Sequence, residues 1–323
     1  MPSHHPPTHQ PPPHCSIVIR AYNEARHIGH LLAEITRQTF QDFEIILVDS
    51  GSTDATLDIA AQYPVRLVHI TPQQFTFGRS LNLGIAASSA ELIVMASAHV
   101  YPIDQDWLAN LLAPFDDSRV ALTYGQQRGD SATKFSEHQF FHQYFPDVSQ
   151  PDQADPFCNN ANAAIRRSLW LQNPYDEQLS GLEDLAWASW AKQQGYKIAY
   201  VAEAGIIHIH EESSRQVFNR YRREAMAMQQ ILPKSRFSFR NFVRLFLTHA
   251  LQDVIQSFRQ RVFLANFASI IGFRLMQFWG TYWGYNRTPE FTAELKQTFY
   301  YSPSILTTNR QSVPSPSSHD QKS

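Results

Sequence analysis

Four short apolar runs, each followed by a stretch of helical periodicity, constrain this chain more than any other feature. The runs fall at residues 15–20, 43–48, 65–70 and 91–96. After the first, Asn23-Glu24 is expected to open a helix, in which Ile28, Leu31, Leu32 and Ile35 lie at i, i+3, i+4 and i+7 on one face. Helices are expected at 54–62, ended by Pro64, and at 78–87 and 106–115. Strands alternating with helices of this length imply parallel βαβ units with right-handed crossovers, hence an α/β fold. A strand is expected at 120–124 and a helix at 183–194. Two short strands follow at 197–201 and 205–210. Ligands of such sheets collect just beyond the carboxyl ends of the strands.

The stretch Leu47-Val48-Asp49-Ser50-Gly51-Ser52-Thr53-Asp54 stands at one of those ends. An acid closes an apolar run, small hydrogen-bonding residues follow, and a second acid opens a helical pattern. A carboxylate there can accept hydrogen bonds from a base or a ribose, and Gly51 permits a tight turn. A plain helix cap by Ser52 or Asp54 accounts for the same residues.

These residues belong to a longer series. Ser16-Ile17-Val18-Ile19-Arg20-Ala21-Tyr22-Asn23-Glu24, Gln38-Thr39-Phe40, Val48 to Asp54, and Gly181-Leu182-Glu183-Asp184 follow the order seen in family 2 glycosyltransferases, which this chain resembles. The resemblance covers about residues 15–212. It implies a GT-A fold, a doubly wound mixed sheet flanked by helices, here with a helical C-terminal appendage. It also implies a nucleotide-sugar donor and inverting transfer to a saccharide or lipid-linked acceptor in cell-surface polysaccharide biosynthesis. On this resemblance Ala21, Asn23, Glu24, Asp49, Arg79, Ser97 and His99 would line the donor nucleotide site. Asp184 would be the catalytic base, with Glu183 fixing its loop or an acceptor hydroxyl. Arg128, Asn160, Asn162 and Trp187 would serve the acceptor, because amides both donate and accept and aromatic faces stack on sugar rings. Competing readings are plain: Asn23-Glu24 as a helix cap, Arg79 lying over Phe75, and Trp187 as core.

The chain departs from the family at its metal motif. Ser97-Ala98-His99 stands where Asp-X-Asp is usual, so both carboxylates are missing. In Ile206-Ile207-His208-Ile209-His210 the two-residue period puts His208 and His210 on one face of a strand. The resemblance, in which Asp-X-His can stand at this motif and a late His can join it, implies His99, His208 and His210 as the candidate metal ligands. The expected ion is Mn or Mg, with Zn behind them, although imidazole ligands shift preference from Mg toward Mn and Zn. Catalysis without a metal, through His99 and nearby Arg side chains, is the alternative. Two rival functions fit less well. A nucleotidyltransferase would want a Gly-rich phosphate loop after the first strand, which Ala21-Tyr22-Asn23-Glu24 does not offer. A degenerate nucleotide-sugar binder without transferase activity would have no use for Asp184 as a base.

A formal net charge of -2 makes no case for a nucleic-acid partner, and two cysteines are too few for a disulfide framework, which points to a cytoplasmic setting. Residues 1–14 are Pro/His-rich without an apolar core and read as a disordered leader; 302–323 read as a disordered tail. Between them, 15–212 form the GT-A domain and 213–301 a basic amphipathic helical appendage. Ten Arg and Lys between 213 and 261 stand against Glu224 and Asp253 alone. This region is expected to rest on the inner membrane face through its arginines and through Phe237, Phe239, Phe242, Leu245, Phe246 and Trp279. Packing of those aromatics on the catalytic domain, or a homodimer contact, is the alternative. Residues 262–285 are long enough to span a bilayer, yet Asn266, Arg274 and Gln277 interrupt them, so a buried or interfacial helix is expected.

Overall fold

The computed structural model describes residues 11–286 and 293–300; the expected leader up to residue 10 and the tail from 302 lie outside the described residues. The elements run β1 (Cys15–Ala21), α1 (Ile28–Thr36), β2 (Phe43–Asp49), α2 (Thr56–Ala60), β3 (Val65–His69), α3 (Phe77–Ala87) and β4 (Leu92–Ser97). There follow β5 (Val100–Pro102), α4 (Trp107–Leu112) with a 3₁₀ turn (Ala113–Asp116), β6 (Val120–Arg128), α5 (Phe135–Tyr144), β7 (Asn162–Arg166) and α6 (Arg167–Trp170). Then come α7 (Glu183–Gln193), β8 (Lys197–His208), α8 (Ser214–Ile231), α9 (Phe239–Arg259), α10 (Phe263–Asn286) and α11 (Ala293–Tyr300).

Eight strands form one mixed sheet in the order β3-β2-β1-β4-β7-β6-β8-β5. The first four are parallel, as βαβ crossovers require; β7 runs antiparallel to both β4 and β6, and β5 antiparallel to β8. β1, β2 and β4 read as continuous apolar runs because helices cover both faces of the sheet. One face packs Ile28, Leu31, Leu32 and Ile35 of α1 with Trp107, Leu108 and Leu111 of α4. The other packs Leu81 and Ile85 of α3, Phe141 of α5, and Trp187 and Ala188 of α7.

Several boundaries differ from expectation, each for a tertiary reason. Asn23-Glu24 does not open α1, which begins four residues later; Asn23 is left-handed (φ 55). Backbone N–H groups of Asn23 and Glu24 donate instead to Ser52 Oγ (2.9 Å) and Thr56 Oγ1 (2.7 Å), and Thr53 N–H donates to Asn23 Oδ1 (2.8 Å). The loops after β1 and β2 thus bind each other across the crevice, and Gly51 makes that turn at φ 92. The expected strands at 197–201 and 205–210 are one strand, β8, which ends at His208, two residues short of expectation, and whose register shifts opposite Gly125 and Gln127. α5, β5 and β7 were not expected from the sequence.

The C-terminal helices pack on the α/β core as well as on each other. α10 lies close against α8 because a Cβ at Gly280 or Gly284 would meet the carbonyl of Phe218 at 2.4 Å or of Arg222 at 2.5 Å. Arg274, midway along α10, is buried; it donates to Asp253 of α9 (2.7 and 3.0 Å), to Gln277 (2.8 Å) and to the Ser136 carbonyl of α5 (3.2 Å). Among the described residues no helix is long and apolar enough to cross a membrane. Phe242, an expected insertion residue, is buried against half-buried Trp279, ring centroids 5.3 Å apart, so Phe242 faces inward.

Candidate active site

At the carboxyl ends of β1 and β4 opens a cleft of about 1090 Å³, walled on the far side by the end of β8, the start of α7 and α8. A side pocket of about 230 Å³ continues past Arg20 toward Ala21, Ser50, Phe75 and Phe77.

Asp184 lines the cleft in the first turn of α7, behind Leu182, which holds the left-handed conformation (φ 58). Its carboxylate accepts from Leu185 N–H (2.8 Å) and Asn160 N–H (3.1 Å). Burial, and then the neighbouring Glu183 charge, raise its pKa to about 7 against those hydrogen bonds. A group poised there can take a proton near neutrality. Glu183 is aimed elsewhere: its Oε1 lies 3.6 Å from Arg20 Nη1 and accepts from Asn160 Nδ2 (3.4 Å). It therefore fastens the strand end to the helix start.

His99, His208 and His210 converge on one wall, with one ring nitrogen of each within 4.8 Å of the others. Every Nδ1 has an oxygen partner: Glu24 for His99 (2.8 Å), Gln127 for His208 (2.9 Å) and Glu137 for His210 (2.7 Å). These partners assign the protons to Nδ1, which turns the Nε2 lone pairs of His208 and His210 toward each other, while His99 Nε2 lies 3.1 Å from Ser97 Oγ; outer oxygen partners orient ligating imidazoles in this way. His208 Nε2 and His210 Nε2 face each other at 3.1 Å. Two imidazoles on a tetrahedral ion, each about 2.0–2.1 Å from it, stand at about this separation. Burial, then His210, His99 and Arg220, push the His208 pKa well below its usual value, keeping it a neutral donor. The residues present fit a divalent ion. Burial alone would raise the Glu137 carboxyl, but Arg220 and His210 outweigh it and hold it at about 2. Around His99, burial lowers the pKa, Glu24 raises it more, and the net shift is upward.

The other expected residues divide. Asn23, Glu24, Ser97 and Asn160 line the cleft, and Ala21 lines the side pocket. Asp49 is buried and spends its carboxylate on Gly51 N–H (3.0 Å) and Ser52 N–H (3.2 Å), next to Ser50 of the side pocket. Arg79 pairs with Glu177 (3.0 Å) and does not line the cleft. Arg128 is held by Asp147 (2.6 Å) and the Phe145 carbonyl (2.7 Å), away from it. Asn162 is buried at the start of β7, its Oδ1 accepting from Trp107 Nε1 (2.9 Å). Trp187 is 1% exposed and donates to the Asn173 carbonyl (2.7 Å), so its ring belongs to the core rather than to a sugar.

Sequence reasoning missed the cations. Arg20, at the end of β1, sits 4.6 Å over the Phe77 ring, and Arg223 sits 4.7 Å over the same ring. Arg220 pairs with Glu137 (2.7 Å) and Glu212 (2.6 Å). All three line the cleft, so two of the appendage's arginines face the site and not a membrane. A charged residue closing a buried strand was the available signal for Arg20; Glu137 had none, because α5 has little apolar periodicity.

Comparison with known proteins agrees with this architecture. A family model described as Glycosyl transferase family 2 matches residues 16–171. The O-antigen chain rhamnosyltransferase RfbN of Salmonella typhimurium is 30% identical over 224 residues, 64% of this chain and 69% of that protein. The O-antigen chain rhamnosyltransferase WbaN of Salmonella anatum is 31% identical over 196 residues, 57% of this chain and 62% of that protein. Among solved structures, a mannosyltransferase from Pyrobaculum calidifontis in complex with GDP-Man and Mn2+ superposes with TM-score 0.57 at 17% identity, over 90% of this chain and 88% of that one. Glucosyl-3-phosphoglycerate synthase from Mycobacterium tuberculosis superposes with TM-score 0.53 at 20% identity, over 68% and 80%. The sheet order, the flanking helices and these matches together identify the GT-A fold, and the chain belongs to glycosyltransferase family 2.

Proposed function

We propose that this glycosyltransferase moves a sugar, with inversion, from a nucleotide-sugar donor to a saccharide or lipid-linked acceptor in cell-surface polysaccharide biosynthesis, at the cytoplasmic face of a membrane. The observation that carries the reading is Asp184: a carboxylate on the cleft wall, held by two backbone N–H groups, with its pKa raised to about 7. In this mechanism Asp184 removes the proton from an acceptor hydroxyl as its oxygen bonds to the anomeric carbon. The bond from that carbon to the nucleoside diphosphate breaks, and the electron pair leaves with the diphosphate. Ala21, Ser50 and the Asp49 loop form the nucleotide end, and Arg20 and Arg223 supply positive charge beside it. A divalent ion held by His99, His208 and His210 would supply charge neutralisation at the diphosphate. Glu183 orients the catalytic loop through Arg20 and Asn160. The two Salmonella relatives, named as O-antigen chain rhamnosyltransferases, support a surface polysaccharide as product and make a rhamnosyl donor the first to test. Donor hydrolysis and thermal shift across UDP-, GDP- and dTDP-sugars, with and without Mn, test the reading. Turnover of one donor class supports it; no hydrolysis and no stabilisation with any of them would defeat it.

A further inference from the structure

Nine of the fifteen exposed large apolar side chains among the described residues lie between Phe239 and Phe267, on a surface the cleft does not use. Phe239, Val243, Leu247, Leu251, Ile255 and Phe258 recur every three or four residues along α9, each 37–60% exposed. That spacing places them on one side of the helix. The adjoining side buries Phe242, Ala250, Asp253 and Ser257 against the protein. Leu264, 92% exposed, and Phe267 continue the apolar surface into α10. Arg240 and Arg244 interleave with the stripe, and Arg259 and Arg261 stand exposed at its end. The one acid of α9, Asp253, is buried against Arg274 and contributes no negative charge to this face.

An apolar stripe with cations and no exposed acid is complementary to an anionic lipid surface, where the apolar side chains enter the headgroup boundary and the guanidinium groups meet phosphates. A second copy fits less well, because two such faces would bring arginines against arginines. With 21 residues, α9 offers a contact about 30 Å long. We propose that this face of α9 docks flat on an anionic phospholipid bilayer. Of the residues expected from sequence the stripe keeps Phe239, while Phe242 is buried and Phe237, Leu245, Phe246 and Trp279 are half-buried. The lipid linkage of the acceptor is the reading given above; the docking rests on the surface itself.

Flotation of the full chain with vesicles of mixed phosphatidylcholine and phosphatidylglycerol, and of phosphatidylcholine alone, tests the docking. Wild type should float with the mixed vesicles only, and high salt should weaken this. Arg240→Gln/Arg244→Gln should lower partitioning roughly 25-fold, about fivefold for each charge. Leu247→Glu/Leu251→Glu/Ile255→Glu should abolish flotation while thermal midpoint and donor hydrolysis in vesicle-free solution stay unchanged. Wild type remaining at the bottom with mixed vesicles at low salt would overturn the proposal, as would equal flotation of the triple variant. A dimer in sedimentation that the triple variant breaks would assign the face to a second copy instead. Failure of the transfer reading would show itself separately, as absent donor turnover without vesicles.

Discussion

Replacing Asp184 by Asn tests the chemistry most directly, because the amide keeps the shape and loses the proton acceptor. One amide oxygen can retain the Leu185 N–H (2.8 Å), but the amide nitrogen then faces the Asn160 N–H (3.1 Å), two donors together. That mismatch costs about 1–3 kcal/mol. It is offset by removal of a charge whose pKa the fold raises to about 7. The sign follows from that shift: the folded state favours the protonated form, so the ionised carboxylate destabilises it above about pH 7. This penalty fades as pH falls toward the unfolded carboxylate range near 4. Asp184→Asn should therefore fold, and its stability relative to wild type should improve with rising pH. Its turnover should fall by about 10²–10⁴, equivalent to about 2.7–5.5 kcal/mol of activation free energy. Nucleotide affinity should change only a few fold. Wild-type kcat/KM should drop with acidification below about pH 7, while the residual rate of the variant should be flat across that limb. Release of nucleoside diphosphate followed against pH, beside thermal melts, supplies both readouts. A variant that kept most of its turnover, or kept the acidic limb, would refute Asp184 as the base and turn attention to Glu183.

Three further outcomes follow from the geometry. Loss of the ring at His208, by His208→Ala, should abolish stoichiometric Mn or Zn binding in calorimetry, whereas Glu24→Gln or Glu137→Gln should weaken it by about 10–100-fold through the imidazole each one orients; equal metal affinity in all three would remove the cluster as a site. Asp49→Ala should free the N–H groups of Gly51 and Ser52 and weaken free nucleotide binding by about 1.5–3 kcal/mol, and unchanged affinity would exclude the Asp49 loop from the donor site. Arg274→Met should lower stability by about 3–5 kcal/mol because it strands Asp253 in the interior, while Arg274→Met/Asp253→Leu should recover most of the loss; additive damage in denaturant melts would contradict the buried pair.

The repeated apolar runs determined the parallel half of the sheet, because a strand covered on both faces has to be apolar along its whole length. The motifs around Asp49 and Asp184 were equally legible: residues at a strand end or in a helix's first turn are close in sequence to the elements that place them. The period of two in Ile206 to His210 is enough by itself to put His208 and His210 on one side of the chain. Contacts between distant segments were not legible. Glu137 reaches His210 across 73 positions, and Arg274 reaches the Ser136 carbonyl across 138. Neither pairing leaves a local pattern. The same holds for Asn23 and Glu24, whose sequence suits a helix cap and whose backbone is instead drawn to Ser52 and Thr56 on the neighbouring loop. Sequence also could not say which aromatics of the appendage point outward. Phe242 and Leu247 look alike along α9, and only its packing against α10 and α5 buries one and exposes the other. Periodicity follows from an element's own geometry, while the choice of buried face follows from its neighbours, and those only the tertiary structure decided.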